Sequence, residues 1–506
     1  MAEFVESRFL WTKGDWGNQG AFMAGRGEDG WFKGTNVLVR KDGSLCPRPG
    51  LKARTYTGLP ANPVRWWSYA AVTVGAVSGV IIFVVENKAY WVPAFTDGAA
   101  TEIGTLAGIE TAYSSAAPVL SGGKVYFALR SQGVYEWNPA AVSPTPQLTR
   151  VFAQGGILDF ELYGERCYAS SIRTVWYSDA ADFTQWDAAL QFFKVGWEFA
   201  NYRMASLRNN LYFFRQGGGH FVMSGAPGST STLRETGAGL PPDIHSTVKV
   251  RTEDAAVWIP QVRNAPVYYR GGLVDSERWK HLEDWTTSGN GEHSGAFSFG
   301  EQGICFTGTA DDTGLLRHRD VWTKHEWDVN ARFVSRVSAD AFAFCDLGNT
   351  GVAPKFWVWY YAADLPGVVG TDWPPGDASD TPVSASVSLP EWWHAQGQEV
   401  RVVSVEVEFD SFDTGTSQTA HFDLTVDALG AGSVGNASRG TATSATQTLD
   451  EPVSSSSATG DARRITFNVG DQGWGRGYQI HLTNIRSVAI RSITAQVRVE
   501  PRDPKG

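Results

Sequence analysis

The sequence predicts an all-β chain, a β-propeller of six or seven blades followed by a C-terminal antiparallel β-sandwich. Three observations carry that expectation. The 506 residues include 55 Gly and are 13% aromatic, a mixture that favours strands and tight turns over helical bundles. An aromatic strand pair recurs through the middle of the chain. Beyond a proline-rich break, apolar and polar residues alternate more regularly.

Residues 1–64 read as an irregular Gly- and Trp-rich arm, with Trp11, Trp16 and Trp31 among its glycines. It holds one short hairpin, Val37-Leu38-Val39 and Leu45 joined across Asp42-Gly43. Pro47-Arg48-Pro49-Gly50 then stops regular pairing. Such an arm needs another surface to order it. Trp66 to Val85 carries no charge, over about the length of a membrane helix. Its Val, Ile and Thr content and the breaks at Gly75 and Gly79 instead predict two strands and a turn, and no membrane insertion.

Residues 65–373 are expected to form the propeller. Phe83, Phe127, Tyr168 and Tyr212 head successive strand pairs at spacings of 44, 41 and 44 residues, and a four-stranded blade repeats every ~40–50 residues. Weaker units follow at Trp258, Phe306 and Trp357. Prolines 366, 374, 375, 382 and 390 mark a linker. Residues 374–506 are expected to form the sandwich, on the alternation in Val400–Phe409, Phe422–Val426 and Ile493–Val499. A Gly/Ser-rich loop is expected over 430–460, ordered only against a neighbour if at all.

The chemistry on offer is thin. The formal charge of −10 argues against a general nucleic-acid binder. Cys46, Cys167, Cys305 and Cys345 read as buried free thiols of a protein made in a reducing cytoplasm, and no secretory signal is visible. The acidic pairs Asp159/Glu161, Asp275/Glu277 and Asp311/Asp312 have the spacing of glycosidase candidates, but a chain with 53 acidic residues produces such pairs by chance. His318 and His325 fit no metal-ligand spacing. Gly217-Gly218-Gly219 reads as a hairpin turn rather than a phosphate loop. Catalytic, cofactor-binding and metal residues are therefore all expected to be absent, with no cofactor.

One segment, Ser178-Asp179-Ala180-Ala181-Asp182-Phe183-Thr184-Gln185-Trp186, is similar to the Asp-box of sialidase-like propellers. It lacks the box's Gly and has one extra residue. Physically it is a hairpin tip, with Asp179 placed to cap the turn and Trp186 to pack beneath it.

Three features together carry a broader resemblance. They are Gly43-Ser44-Leu45-Cys46-Pro47-Arg48-Pro49-Gly50, then Val175-Trp176-Tyr177-Ser178-Asp179 with Trp186, then a final block. That block holds Phe467-Asn468-Val469-Gly470, Gly477-Tyr478-Gln479-Ile480-His481-Leu482 and Ala489-Ile490-Arg491-Ser492-Ile493. In this the chain resembles the propeller-bearing tail nozzle, knob or stabilisation proteins of short-tailed bacteriophages. The resemblance implies a virion structural protein, synthesised in the host cytoplasm, with copies (generally six) in a ring at the distal end of the tail. It implies attachment to an adaptor ring and a part in DNA retention and ejection, with genomic DNA passing through unspecifically. Tail fibres or a host receptor are further candidate partners. Two other readings stay open on the residues alone, a receptor- or glycan-binding tail propeller and a propeller glycoside hydrolase or depolymerase.

Overall fold

The computed structural model describes residues 51–195 almost without interruption and, outside that span, chiefly the strands named below. Among the described residues there is no helix. The chain divides into two compact units, one of residues 52–314 and 327–359, the other of residues 1–51, 315–326 and 360–506.

The first unit is a β-propeller, built by consecutive strands folding back on one another. Val64–Val74 turns at Gly75 (φ +60°) into Val77–Val85, followed by Lys88–Pro93 and Thr101–Thr105. These four pair in sequence order, so the uncharged stretch is a hairpin, as its Val/Ile content and glycines require. Further four-stranded meanders cover Val119–Ser121 to Leu148–Phe152, Asn201–Leu207 to Thr232–Thr236, and Val250–Arg251 to Leu273–Asp275. Between the first two of these lies the Asp159–Tyr163 sheet, with Arg166–Ser170 and Thr174–Asp179; both Asp182–Trp186 and Phe192–Lys194 pair with its third strand. His293–Phe299 and Gly303–Gly308 form a further hairpin.

The last sheet closes the ring. Val334–Arg336, Ala341–Asp346 and Lys355–Tyr360 take their fourth strand, Lys52–Arg54, from near the start of the chain. The first strands of neighbouring sheets lie side by side, as Asp159–Tyr163 does with Asn201–Leu207 and Val334–Arg336 with Val64–Val74. At the closure Tyr69 N donates to Ser335 Oγ (2.9 Å), and Val64 N donates to Leu347 O (2.7 Å). Phe356 meets Phe83 and Trp67 at centroid distances of 5.5 and 6.1 Å. Between the first two sheets the aromatics form the filling: Trp66 stacks on Phe127 at 4.8 Å, and Phe127 in turn stacks on its cross-strand partner Tyr135 at 5.9 Å. Each fully buried ring contributes roughly 1.5–3 kcal/mol from area alone.

The aromatic repeat in the sequence marks the second strand of each sheet. Phe83, Phe127, Tyr168 and Tyr212 lie on second strands. These are flanked on both sides within their sheets, so they carry the densest apolar run. In the closing sheet the repeat fell instead on the third strand, at Trp357.

The second unit is assembled from distant segments. In one sheet Val488–Val499 is central. Val400–Ser411 pairs along one side of it, and Glu3–Leu10 and Leu45–Pro47 pair along the other; Arg463–Asn468 lies beyond Val400–Ser411. In the other, Gly477–Arg486 lies between Ala385–Ser388 and Thr419–Leu429, with Lys33–Thr35 and Val321–Glu326 beyond the former. Val402, Val405, Val407, Ile490, Ile493 and Val497 of the first sheet share one core with Val387, Phe422, Leu424, Ile480 and Leu482 of the second.

This division differs from the three consecutive spans expected from the sequence. The arm over 1–64 is divided between the units: Glu3–Leu10, Phe22–Met23, Lys33–Thr35 and Leu45–Pro47 pair with C-terminal strands, while Lys52–Arg54 and Tyr56–Thr57 pair within the propeller. The surface it needed is the chain's own. Likewise Ser444–Pro452, inside the expected 430–460 loop, is a strand paired with Thr419–Asp427. Trp11, Trp16, Trp31 and residues 364–383 of the linker expected over 364–390 lie outside the described residues; the rest of that linker holds the strand Ala385–Ser388.

Candidate functional site

Asp159 and Glu161 leave a strand on the same side, as an acidic pair would need. Their carboxylates are already engaged. Asp159 is buried and faces buried Arg203 at 3.4 Å; its Oδ2 accepts from Met204 N (2.7 Å) and its Oδ1 from Phe160 N (2.9 Å). Arg203 Nη1 also donates to Leu158 O (2.8 Å). Glu161 Oε1 accepts from Ser206 N (3.4 Å). The pair therefore laces the Asp159–Tyr163 strand to the first strand of the next sheet. It is a staple, and the hydrolase reading loses its one described acid pair. The side chains of Asp275, Glu277, Asp311 and Asp312 lie outside the described residues, as does the Gly217–Gly219 triplet. The strands flanking that triplet pair as a hairpin.

The Asp-box-like segment is a hairpin, with Ala181 at φ +59° in its tip. The capping is done by other residues than Asp179. Asp182 Oδ1 accepts from Thr184 N (3.0 Å) and Thr184 Oγ1 (2.6 Å), and these bonds hold its pKa below the ordinary carboxylate value. Asp187 Oδ1 accepts from Ala189 N and Leu190 N. Asp179 accepts instead from the Gln191 side chain. Trp186 does pack beneath, stacked on Phe152 of the preceding sheet at 4.7 Å. The segment joins two sheets and presents no reacting geometry.

His325 is buried, and burial, then the Arg48 charge, holds its pKa well below the ordinary value. A neutral imidazole facing a guanidinium is a poor place for a metal cation. The side chain of His318 lies outside the described residues, among which no group of three potential metal ligands occurs.

The arrangement closest to a chemical site was not visible in the sequence. On the second unit, the face opposite the core carries Ser388, His481 and Asp427 from three adjacent strands. Ser388 and His481 are direct cross-strand partners, with Oγ and Nδ1 2.8 Å apart; His481 Nε2 faces Asp427 Oδ2 at 3.3 Å. Burial lowers the His481 pKa, opposed by Asp427. A nucleophile, a base and an orienting acid are thus in contact. Acyl transfer also needs a free backbone donor beside the nucleophile. The N–H of the following residue, Leu389, instead donates to Ile480 O (2.8 Å). The trio is a polar ladder across a paired sheet. Its only sequence signal is the polar phase of the alternation in 385–388, 422–427 and 477–482.

Within the Gly43–Gly50 motif, the described residues Ser44 to Arg48 anchor the second unit. Leu45 pairs with Ile490, and Arg48 is fully buried. Arg48 N donates to Asn36 O (2.8 Å), and Arg48 Nε to Asn36 Oδ1 (3.3 Å). Asn36, at φ +59°, in turn donates from Nδ2 to Ser384 O (3.2 Å).

No family model matches the chain, and no curated protein does. Solved structures similar to it include virginiamycin B lyase from Staphylococcus aureus, at 10% identity and TM-score 0.40, covering 61% of this chain and 98% of that one. YCF48 bound to D1 peptide gives 10% and 0.42, covering 62% and 99%. The β-propeller domain of Cps50 (Swd1) from Myceliophteria thermophila gives 10% and 0.43, covering 62% and 100%. Strand order and the closure by Lys52–Arg54 define the propeller within this chain.

Proposed function

We propose that this chain is a structural subunit of a bacteriophage tail, a nozzle or knob protein. It forms a ring, six copies in the related assemblies, around the DNA exit channel at the distal end, and takes part in DNA retention and ejection. The propeller is read as seven blades, the sixth beginning at His293–Phe299, and the second unit as a β-sandwich. The subunit is made in the host cytoplasm, docks on a tail adaptor and carries no catalytic or cofactor site.

One observation supports this reading most directly. The first and last parts of the resemblance, Gly43–Gly50 and the block from Phe467 to Ile493, lie more than 400 residues apart in sequence. They meet in one core, where Leu45 pairs with Ile490 and Leu45, Tyr478, Ile480, Leu482 and Ile493 pack together. Short motifs that converge on one structural element are constrained together, as a shared module requires.

The test is localisation and mass. Antibodies to this chain should label intact virions at the tail tip, and native mass spectrometry of the pure protein should find a closed ring. Label on the capsid or none on virions, with a monomer that binds host glycans, would replace this reading with a receptor-binding one. Turnover of a host polysaccharide would replace it with the depolymerase reading.

A further inference from the structure

We infer that residues 52–57 form a clasp on the outer edge of the propeller's seam, one that lets go and refastens as a unit while the inner edge stays closed. The closing strand Lys52–Arg54 holds the last sheet, pairing with residues 356–358. The three residues that follow it hold the first sheet. Tyr56–Thr57 pairs in parallel with Gly98–Ala99, in the connection between that sheet's third and fourth strands. Thr55 N donates to Asp97 Oδ1 (3.0 Å), Gly98 N to Thr55 O (3.2 Å) and Ala100 N to Thr57 O (2.8 Å). Tyr56 reaches both sides of the seam. Its hydroxyl donates to Pro93 O of the first sheet (2.6 Å), and its ring meets Phe356 of the last sheet edge-on at a centroid distance of 5.8 Å.

The clasp is the part of the seam built to open. Of residues 53–58 only Tyr56 is buried, and Asp97, which takes the Thr55 bond, is exposed. Water-exposed backbone bonds with few buried apolar contacts lie at the low-stability end of a structure. The inner edge is held by other residues. There Tyr69 N donates to Ser335 Oγ, the Ser68 and Ser335 hydroxyls lie 3.2 Å apart, and Val64 N donates to Leu347 O. None of these bonds involves residues 52–57, so the outer edge can part while they remain. The clasp's own bonds run through three consecutive residues, with the Tyr56 hydroxyl between the Thr55 and Thr57 carbonyls. Withdrawing the one buried side chain therefore loosens its neighbours together, and it uncovers Phe356 beside Phe83 and Trp67.

Hydrogen exchange on the full chain tests this. The Gly98 and Ala100 amides should exchange together, and faster than those of residues 80–85 in the buried second strand of the same sheet. Tyr56→Phe, which removes only the hydroxyl, should speed the first set about 5- to 10-fold and leave the second unchanged. Thr57→Cys with Ala99→Cys places thiols on register partners, on strands about 4.8 Å apart, within disulfide reach. That bond should slow Gly98 and Ala100 by about 10-fold or more, and reductant should reverse the effect. A pair that fails to oxidise, or a disulfide that leaves both amides unchanged, would overturn the clasp. So would Gly98 and Ala100 exchanging only as fast as residues 80–85, or Tyr56→Phe speeding both sets alike, because the seam would then open only with the whole sheet. Exchange is read on the single chain, so its outcome is separate from whether copies form a ring.

Discussion

The two units solve the same burial problem in opposite ways. In the propeller, each sheet is built from residues that follow one another, and only the closing strand comes from far away. In the second unit almost every pairing is distant: residue 3 meets 499, 45 meets 490, and 33 meets 388. Local construction tolerates loss of a neighbour. Distant construction makes the unit depend on both ends of the chain being present together.

Truncation should break this comparison most visibly. Removing residues 1–51 takes five described strands and buried Arg48 from the second unit but leaves Lys52–Arg54 in the propeller. Calorimetry should then show the second unit's transition lost and the propeller's retained. Loss of both would mean that the propeller does not fold independently.

Next in size is Asp159→Ala. It strands Arg203 without its buried partner and should cost the propeller about 3–5 kcal/mol in denaturant unfolding. Ile490→Ala should cost the second unit about 2–5 kcal/mol by opening a cavity against Leu45 and its neighbours. Each change should move one transition and spare the other.

Acid should separate the units more gently. His325 and His481 both belong to the second unit, and burial depresses both pKa values. The unfolded chain takes up their protons first. Stability from these groups is therefore full above the unfolded value of about 6.5 and declines as pH falls below it. Melting between pH 7.5 and 5 should lower the second unit's transition, and His325→Gln should flatten the slope; an unchanged slope would show that His325 does not titrate on unfolding.

The smallest effect belongs to the polar ladder. Ser388→Ala should cost under about 1 kcal/mol. Fluorophosphonate probes should leave Ser388 unlabelled; labelling that needs His481 would show that a reactive site had been taken for a structural one.

How much was legible follows the same divide. The propeller could be read because its period is local and its aromatics sit on the flanked second strands. Its closing strand, Lys52–Arg54, could not, since three residues carry no period. In the second unit the alternation of 400–409 and 493–499 announced strands but not their partners. Arg48 looked like the end of a hairpin and is a fully buried anchor. Asp159 and Glu161 looked like a candidate pair for chemistry, and only the partner strand, with Met204 and Arg203, shows them as a staple. Ser388, His481 and Asp427 had no signal beyond their polar phase, because a constellation of three strands exists only once register is set.

The strand that closes the propeller also sets a timetable. Lys52–Arg54 leaves the ribosome early, while its partner Lys355–Tyr360 follows about 300 residues later, which at ~5–20 residues per second is roughly 15–60 s. Through that interval the nascent ring is open at its seam, and Phe83 and Trp67 lack the Phe356 ring that covers them at the end. The blades can form as they emerge, but the ring cannot lock until nearly three-quarters of the chain has been made. Synonymous changes that slow translation between residues 100 and 330 should therefore lower the yield of soluble protein without altering the stability of what survives.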